Sequence, residues 1–110
     1  MVKHLKLIIN NPKKIDKFFD KKELQLILNL YASMVSNGEW KDYGLNISKE
    51  EISFNIYKKS LDHPIYKITK KLTPEKKFLV KDGNGNVIKA SKDLKSLISN
   101  IRWKKFKLVN

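Results

Sequence analysis

Hydrophobic residues recur with two different periods in this chain, and the change between them falls at Gly38. Before Gly38 they repeat at spacings of three and four, which places them on one face of a helix. These residues are Leu24, Ile27, Leu28, Tyr31, Met34 and Val35. After Gly38 apolar and polar residues alternate, as they do in a strand with one buried face. A helix followed by strands is therefore the first expectation for the fold.

Both ends of this helix carry recognisable signals. Asp20 and Glu23 have the spacing of a capping box, in which each side chain accepts from the other residue's backbone N–H. Asn37 and Gly38 mark the C-terminal end, because glycine adopts the left-handed conformation that commonly ends a helix. The helix is thus predicted to begin just after Asp20 and to end near Asn37.

The alternating region predicts a series of short strands joined by turns. One set of alternating residues should face the core: Tyr43, Leu45, Ile47, Ile52, Phe54, Ile56, Tyr66, Ile68 and Leu72. A glycine-rich turn, DGNGN, separates two further strands, KKFLVK and VIKA. Ser91, with Asp93 in the first turn, is predicted to open a second helix carrying Leu94, Leu97, Ile98 and Ile101.

These elements predict an α+β fold with two layers. We expect an antiparallel meander of about five strands, with an N-terminal-side helix and a C-terminal-side helix packed on one face. Residues 1–110 should form a single domain, with residues 1–17 as a loosely patterned lead, because this length suits one hydrophobic core. The apolar run from Leu7 to Ile9 is too short for a signal peptide or a membrane span, so we expect a cytoplasmic protein with no membrane partner.

Residues that catalysis recruits are scarce, so we expect no enzyme, no metal and no cofactor. The chain has no cysteine, and His4 and His63 lack a second histidine at metal-ligand spacing. Most carboxylates have local roles at helix starts or in turns. The DGNGN segment lacks the lysine of a phosphate-binding loop and links two strands, so we interpret it as a hairpin turn.

Positive charge is abundant and unevenly distributed. The net charge is +13, and residues 57–81 carry +6 while residues 23–56 carry −3. Strand alternation places one aromatic residue and several lysines on the face away from the core: Tyr57, Lys59, Lys67, Lys71, Lys77 and Lys81. This pattern predicts binding of RNA or single-stranded DNA. A solvated lysine face that discourages aggregation is the alternative interpretation.

The segment GEWKDY, at the corner between helix and sheet, has two interpretations. Trp40 and Tyr43 could fill the space between the first helix and the sheet, as buried aromatic residues commonly do. Alternatively, Trp40 and Asp42 contact a protein partner, since tryptophan is enriched at binding hot spots. The second interpretation makes the chain a protein-interaction or regulatory module that uses this corner or a sheet edge.

Several segments together resemble a known family. The segments are FFDKKEL, LYASMVSNGEWKDY, FNIYKKS, PIYKI, LKSLISNI and the terminal KLV. In this order they resemble the DUF2794 family, small bacterial proteins classified as a domain of unknown function, from about Phe18 to the C-terminus. The resemblance implies no activity. It implies positive charge at Lys21, Lys22, Lys58 and Lys59, where the family often has arginine, but Ala90 and Ser91 replace the family's Arg-Gly pair.

Overall fold

The structure is a computed structural model that describes residues 18–58, 63–73 and 75–103. Within these ranges the chain forms α1 (Lys21–Ser36), β1 (Asp42–Ile47), β2 (Glu51–Tyr57), β3 (Tyr66–Lys71), β4 (Lys77–Asp82), β5 (Val87–Ser91) and α2 (Leu94–Ser99). The predicted α+β architecture is confirmed. The predicted lead, residues 1–17, lies outside the described residues.

The five strands form one antiparallel sheet in chain order, β1-β2-β3-β4-β5. This is the predicted meander, in which each strand pairs with its neighbours in sequence. The DGNGN turn is held by Asp82, whose side chain accepts from the backbone N–H groups of Asn84 at 2.8 Å and Asn86 at 3.0 Å. Gly85 has a positive φ of 88°, the conformation that glycine adopts without strain. A register shift between Val80 and Lys81 interrupts the pairing with β5.

The capping box at the start of α1 is confirmed. The Asp20 side chain accepts from the Glu23 N–H at 2.9 Å, and Glu23 Oε1 accepts from the Asp20 N–H at 2.8 Å. At the other end Gly38 has a positive φ of 79° and donates to the Val35 carbonyl at 2.9 Å. Both boundaries therefore follow from local sequence.

We expect Asp20→Ala to lower the free energy of unfolding by about 0.5–2 kcal/mol, because it removes the cap. The N–H of Glu23 holds the pKa of Asp20 below its usual 3.8. The charged form is thus favoured by folding, so this stabilisation is present above about pH 4 and is lost as the pH falls through the folded-state pKa. Urea unfolding across this range measures it. The control is Asp20→Asn, which keeps an acceptor and should retain most stability with a weaker pH dependence.

The second helix starts later than predicted and ends at Ser99, before Ile101. Ser91 belongs to β5, and Asp93 is the N-cap residue, accepting from the Ser96 N–H at 3.1 Å. Val35 also departs from prediction, because 39% of it is exposed although its spacing placed it on the core face. It lies in the last turn of α1, beside Met34, which is 4% exposed and occupies the core side of this turn.

One hydrophobic core joins the helices to one face of the sheet. The core combines Ile27 and Met34 of α1, Leu94 and Leu97 of α2, and a set of strand residues. The strand residues are Ile52, Phe54, Ile56, Tyr66, Ile68, Phe78 and Val80. They alternate along β2, β3 and β4, so they share one face. We call the opposite side of the sheet the outer face.

Lys70 is a buried cation on the core side of β3. It is 4% exposed, and its Nζ donates to Glu23 Oε1 at 2.7 Å and to the Phe18 carbonyl at 2.7 Å. Glu23 is thus shared between the capping box and a buried ion pair. Because Lys70 and Glu23 lie in different elements, the pair connects the start of α1 to the sheet.

Aromatic rings fill the corner between α1 and β1. Trp40 is 3% exposed and its ring centroid lies 5.5 Å from that of Trp103, in an edge-to-face arrangement. Tyr43 stacks on Phe54 with centroids 4.7 Å apart. The Tyr31 hydroxyl donates to the Lys41 carbonyl at 3.2 Å, and burial, with the nearby Asp42 carboxylate, raises the pKa of Tyr31 to about 12. The packing interpretation of GEWKDY accounts for Trp40 and Tyr43.

Candidate nucleic-acid interface

The outer face consists of the residues that alternate with the core residues on β2, β3 and β4. Strand register arranges them in rows that cross the sheet. One row is Asn55, Lys67 and Lys81; the next is Ser53, Thr69 and Leu79; the third is Glu51, Lys71 and Lys77. Tyr57 lies beyond the first row, on the same face and opposite Asp42 of β1.

Lysines stand directly opposite one another at two places on the outer face. Lys67 pairs with Lys81, and Lys71 pairs with Lys77. Directly opposed residues have Cβ atoms about 4.5–5.5 Å apart, and like charges at this separation destabilise a sheet. Within the described part of the chain, none of the four lysines forms an ion pair or a side-chain hydrogen bond. An anion bound at either pair would relieve the repulsion.

The two lysine pairs have different neighbours. Glu51 lies directly opposite Lys71, so a carboxylate reduces the positive potential at the Lys71–Lys77 pair. Lys67 instead lies opposite the neutral Asn55. The positive potential is therefore higher at the Lys67–Lys81 pair than at the Lys71–Lys77 pair.

The centre of the outer face does not meet water, contrary to the expectation that this whole side of the sheet is solvated. Ser53 is 5% exposed, Thr69 1% and Leu79 9%. A residue in the middle of a five-stranded sheet has neighbours on every side, and this row lies between the two rows of lysines. Lys67 and Lys71 are four residues apart along β3, about 13 Å at the usual strand rise. The accessible charge thus forms two separate groups.

Tyr57 is half-buried and lies against the edge strand β1. A Cβ added to Gly44 would lie 3.8 Å from the Tyr57 Cε1 and 3.9 Å from its hydroxyl oxygen. The ring edge that carries Cε1 and the hydroxyl therefore lies over Gly44, at van der Waals distance from the position a Cβ would take. Aromatic residues often cover edge glycines in this way. Lys59, another residue of the predicted site, lies outside the described residues.

The two candidate partner contacts, Trp40 and Asp42, have different environments. Trp40 is buried by Tyr31, Tyr66 and Trp103, so its ring offers no surface to a partner. Asp42 is half-buried, and its Oδ1 accepts from the Tyr43 N–H at 2.8 Å. Its position opposite Tyr57 places a negative charge at that edge of the outer face, away from the lysine pairs.

Strand alternation places Asn55 on this face, although it is not among the predicted site residues. Its Oδ1 accepts from the Ser53 hydroxyl at 2.6 Å. A polar residue two positions before an asparagine in a strand is a weak signal for such a bond, because the two side chains share a face. The pairing of lysine with lysine depends on the register between β3 and β4, for which the sequence carries no local signal.

Two features are absent from residues 18–58, 63–73 and 75–103. No cluster of three or more His, Cys, Asp or Glu side chains in these ranges could hold a metal ion. Neither helix formed by these residues has the length and apolar character that crossing a membrane requires.

Comparison with known proteins identifies a family. Residues 17–98 match the family described as "Protein of unknown function (DUF2794)". The match covers more than half of the chain, so the chain belongs to this family, as its sequence resemblance indicated. No curated protein and no solved structure matches the chain.

Proposed function

We propose that the outer face binds RNA or single-stranded DNA with little sequence preference, without catalysis. The observation that carries this proposal is that lysines of β3 and β4 lie directly opposite one another at two places, Lys67 with Lys81 and Lys71 with Lys77. Like charges held opposite one another lower the stability of the sheet, and phosphate groups would offset this. Phosphate binding would thus offset a repulsion between lysines that is present in the free protein.

The chemistry of lysine sets the character of the binding. Each ammonium group acts as a point charge and lacks the forked donor geometry of arginine, so it attracts phosphates without reading bases. Tyr57 adds an aromatic ring on which a base can stack. The affinity should therefore come mainly from phosphates, with a contribution from one stacked base.

Salt dependence is the direct test of the proposal. Titration with labelled oligonucleotides should show binding that weakens with salt, with a logarithmic slope of about −0.7 for each phosphate neutralised on a single strand. The double variant Lys67→Gln/Lys81→Gln should make this slope shallower by about 1.4. Tyr57→Ala should cost roughly 1–3 kcal/mol of binding free energy if a base stacks on the ring.

A matched control distinguishes the effect of charge on the outer face from the effect of the protein's total charge. Lys22 and Lys95 are exposed and lie on the helices, on the other side of the sheet. Lys22→Gln/Lys95→Gln removes the same charge and should leave the slope nearly unchanged. Absence of wild-type binding at low salt, or equal effects of the two double variants, would contradict the proposal.

The alternative is a protein-interaction module that uses a sheet edge. The edge strand β5 favours it, because Val87 is 53% exposed and Ile88 45%. An unpaired edge can accept a further strand from another chain. Loss of a protein partner after Ile88→Lys, together with no oligonucleotide binding by the wild type, would support this alternative.

A further inference from the structure

Thr69 carries a buried hydroxyl group for which the described part of the chain provides no partner. Thr69 lies on the outer face in the middle of β3 and is 1% exposed. Ser53, directly opposite on β2, is also buried, but its hydroxyl donates to Asn55 Oδ1 at 2.6 Å. The Thr69 hydroxyl forms no side-chain hydrogen bond with any described residue. The centre of the outer face thus contains a polar group that its described neighbours leave unsatisfied.

An unsatisfied hydroxyl is unfavourable at this position. Burying a donor without a partner costs the free energy of removing it from water. Valine has the same branched shape as threonine and suits a strand as well, without that cost. A buried polar group of this kind requires a further explanation, such as a bound ion or ligand.

The charges around Thr69 indicate what kind of ligand its hydroxyl would meet. Lys67 and Lys71 flank it along β3, each two residues away, which is about 6.6 Å at the usual strand rise. Their partners Lys81 and Lys77 lie opposite them on β4. The hydroxyl is therefore midway between two pairs of cations, and a single carboxylate, next to the Lys71–Lys77 pair, opposes them in these rows. Such a position attracts an anion.

We propose that the Thr69 hydroxyl is the centre of a phosphate subsite, in which it donates to a phosphate oxygen while ammonium groups from both lysine pairs neutralise the charge. A lysine ammonium carries three donors on a flexible four-carbon stem, so it can reach a phosphate two residues away along the strand. The same flexibility lets Lys67 and Lys71 move aside and admit the phosphate to the buried hydroxyl. This inference rests on the proposed function for the source of the phosphate, the backbone of RNA or single-stranded DNA.

Thr69→Val tests the subsite, because it removes the hydroxyl and keeps the shape of the side chain. The free variant should unfold at a higher temperature than the wild type, since it no longer buries an unsatisfied donor. Its affinity for labelled single-stranded oligonucleotides at low salt should fall about tenfold, the effect of one hydrogen bond to a charged group. The logarithmic salt slope should stay the same, because the substitution removes no charge.

Two control variants accompany this test. Thr69→Ser keeps the hydroxyl and should bind oligonucleotides nearly as tightly as the wild type. Thr73 is exposed and lies beyond the end of β3, so Thr73→Val should change neither the melting temperature nor the affinity. A melting temperature of Thr69→Val below that of the wild type overturns the subsite, because the hydroxyl would then be satisfied in the free protein. Unchanged affinity of Thr69→Val, with a salt slope that still depends on Lys67 and Lys81, overturns the subsite and leaves the proposed function standing.

Inorganic tripolyphosphate distinguishes a phosphate subsite from nucleic-acid binding. By binding the folded state it should raise the melting temperature of the wild type, and it should raise that of Thr69→Val less. This difference, together with no oligonucleotide binding by the wild type, would overturn the proposed function and leave the phosphate subsite standing. Equal shifts of the melting temperature in the two proteins would overturn the subsite.

Discussion

Trp40→Ala should lower the free energy of unfolding by about 3–5 kcal/mol, the usual cost of removing a large buried aromatic side chain. Trp40 is 3% exposed and contacts three other rings, with centroid distances of 5.5 Å to Trp103 and 6.2 Å to both Tyr31 and Tyr66. Its removal would leave a cavity where α1, β3 and the segment after α2 meet. Urea unfolding monitored by circular dichroism measures the change.

Val35→Ala is the matched control for this prediction. Val35 is apolar and lies at the end of α1, but 39% of it is exposed, so its truncation should cost much less. A melting temperature of Trp40→Ala close to that of the wild type would contradict the packing interpretation. Loss of binding to a protein partner in that stable variant would instead make Trp40 a contact residue.

Lys70→Met should also be strongly destabilising, by about 3–5 kcal/mol, because it leaves the Glu23 carboxylate without its buried cation. The side chains of Lys70 and Glu23 are only 5% and 12% exposed. The variant also removes the donor to the Phe18 carbonyl. Chemical denaturation measures the loss of unfolding free energy. Hydrogen exchange should be faster in the first turn of α1, where Glu23 loses its partner.

A double-mutant cycle isolates the ion pair in this second prediction. Lys70→Met/Glu23→Gln should lower the free energy of unfolding by less than the sum of the two single losses, because no uncompensated charge remains. Lys71→Met is the control, since the neighbouring lysine lies on the outer face and should change stability by less than about 0.5 kcal/mol. If the two single losses of unfolding free energy add strictly in the double variant, or if Lys70→Met and Lys71→Met lose equal amounts, the Lys70–Glu23 pair makes no specific contribution to stability.

Much of the fold could be predicted because its signals are local. The capping box depends on residues three apart, the end of α1 on Gly38, and each strand on alternation over five to seven residues. The candidate site was predicted less completely. Alternation placed Lys67, Lys71, Lys77 and Lys81 on one face, but it could not show which lysines stand opposite one another.

The sequence by itself determined the elements, their order and the face on which each strand residue lies, because these depend on backbone preferences and on neighbours within a few positions. Only the tertiary structure decided the pairing of Lys70 with Glu23, 47 residues away, the contact of Trp40 with Trp103 and the burial of Thr69. These features arise when distant segments become neighbours. Burial and charge pairing are properties of that assembled neighbourhood, so no local pattern in the chain encodes them.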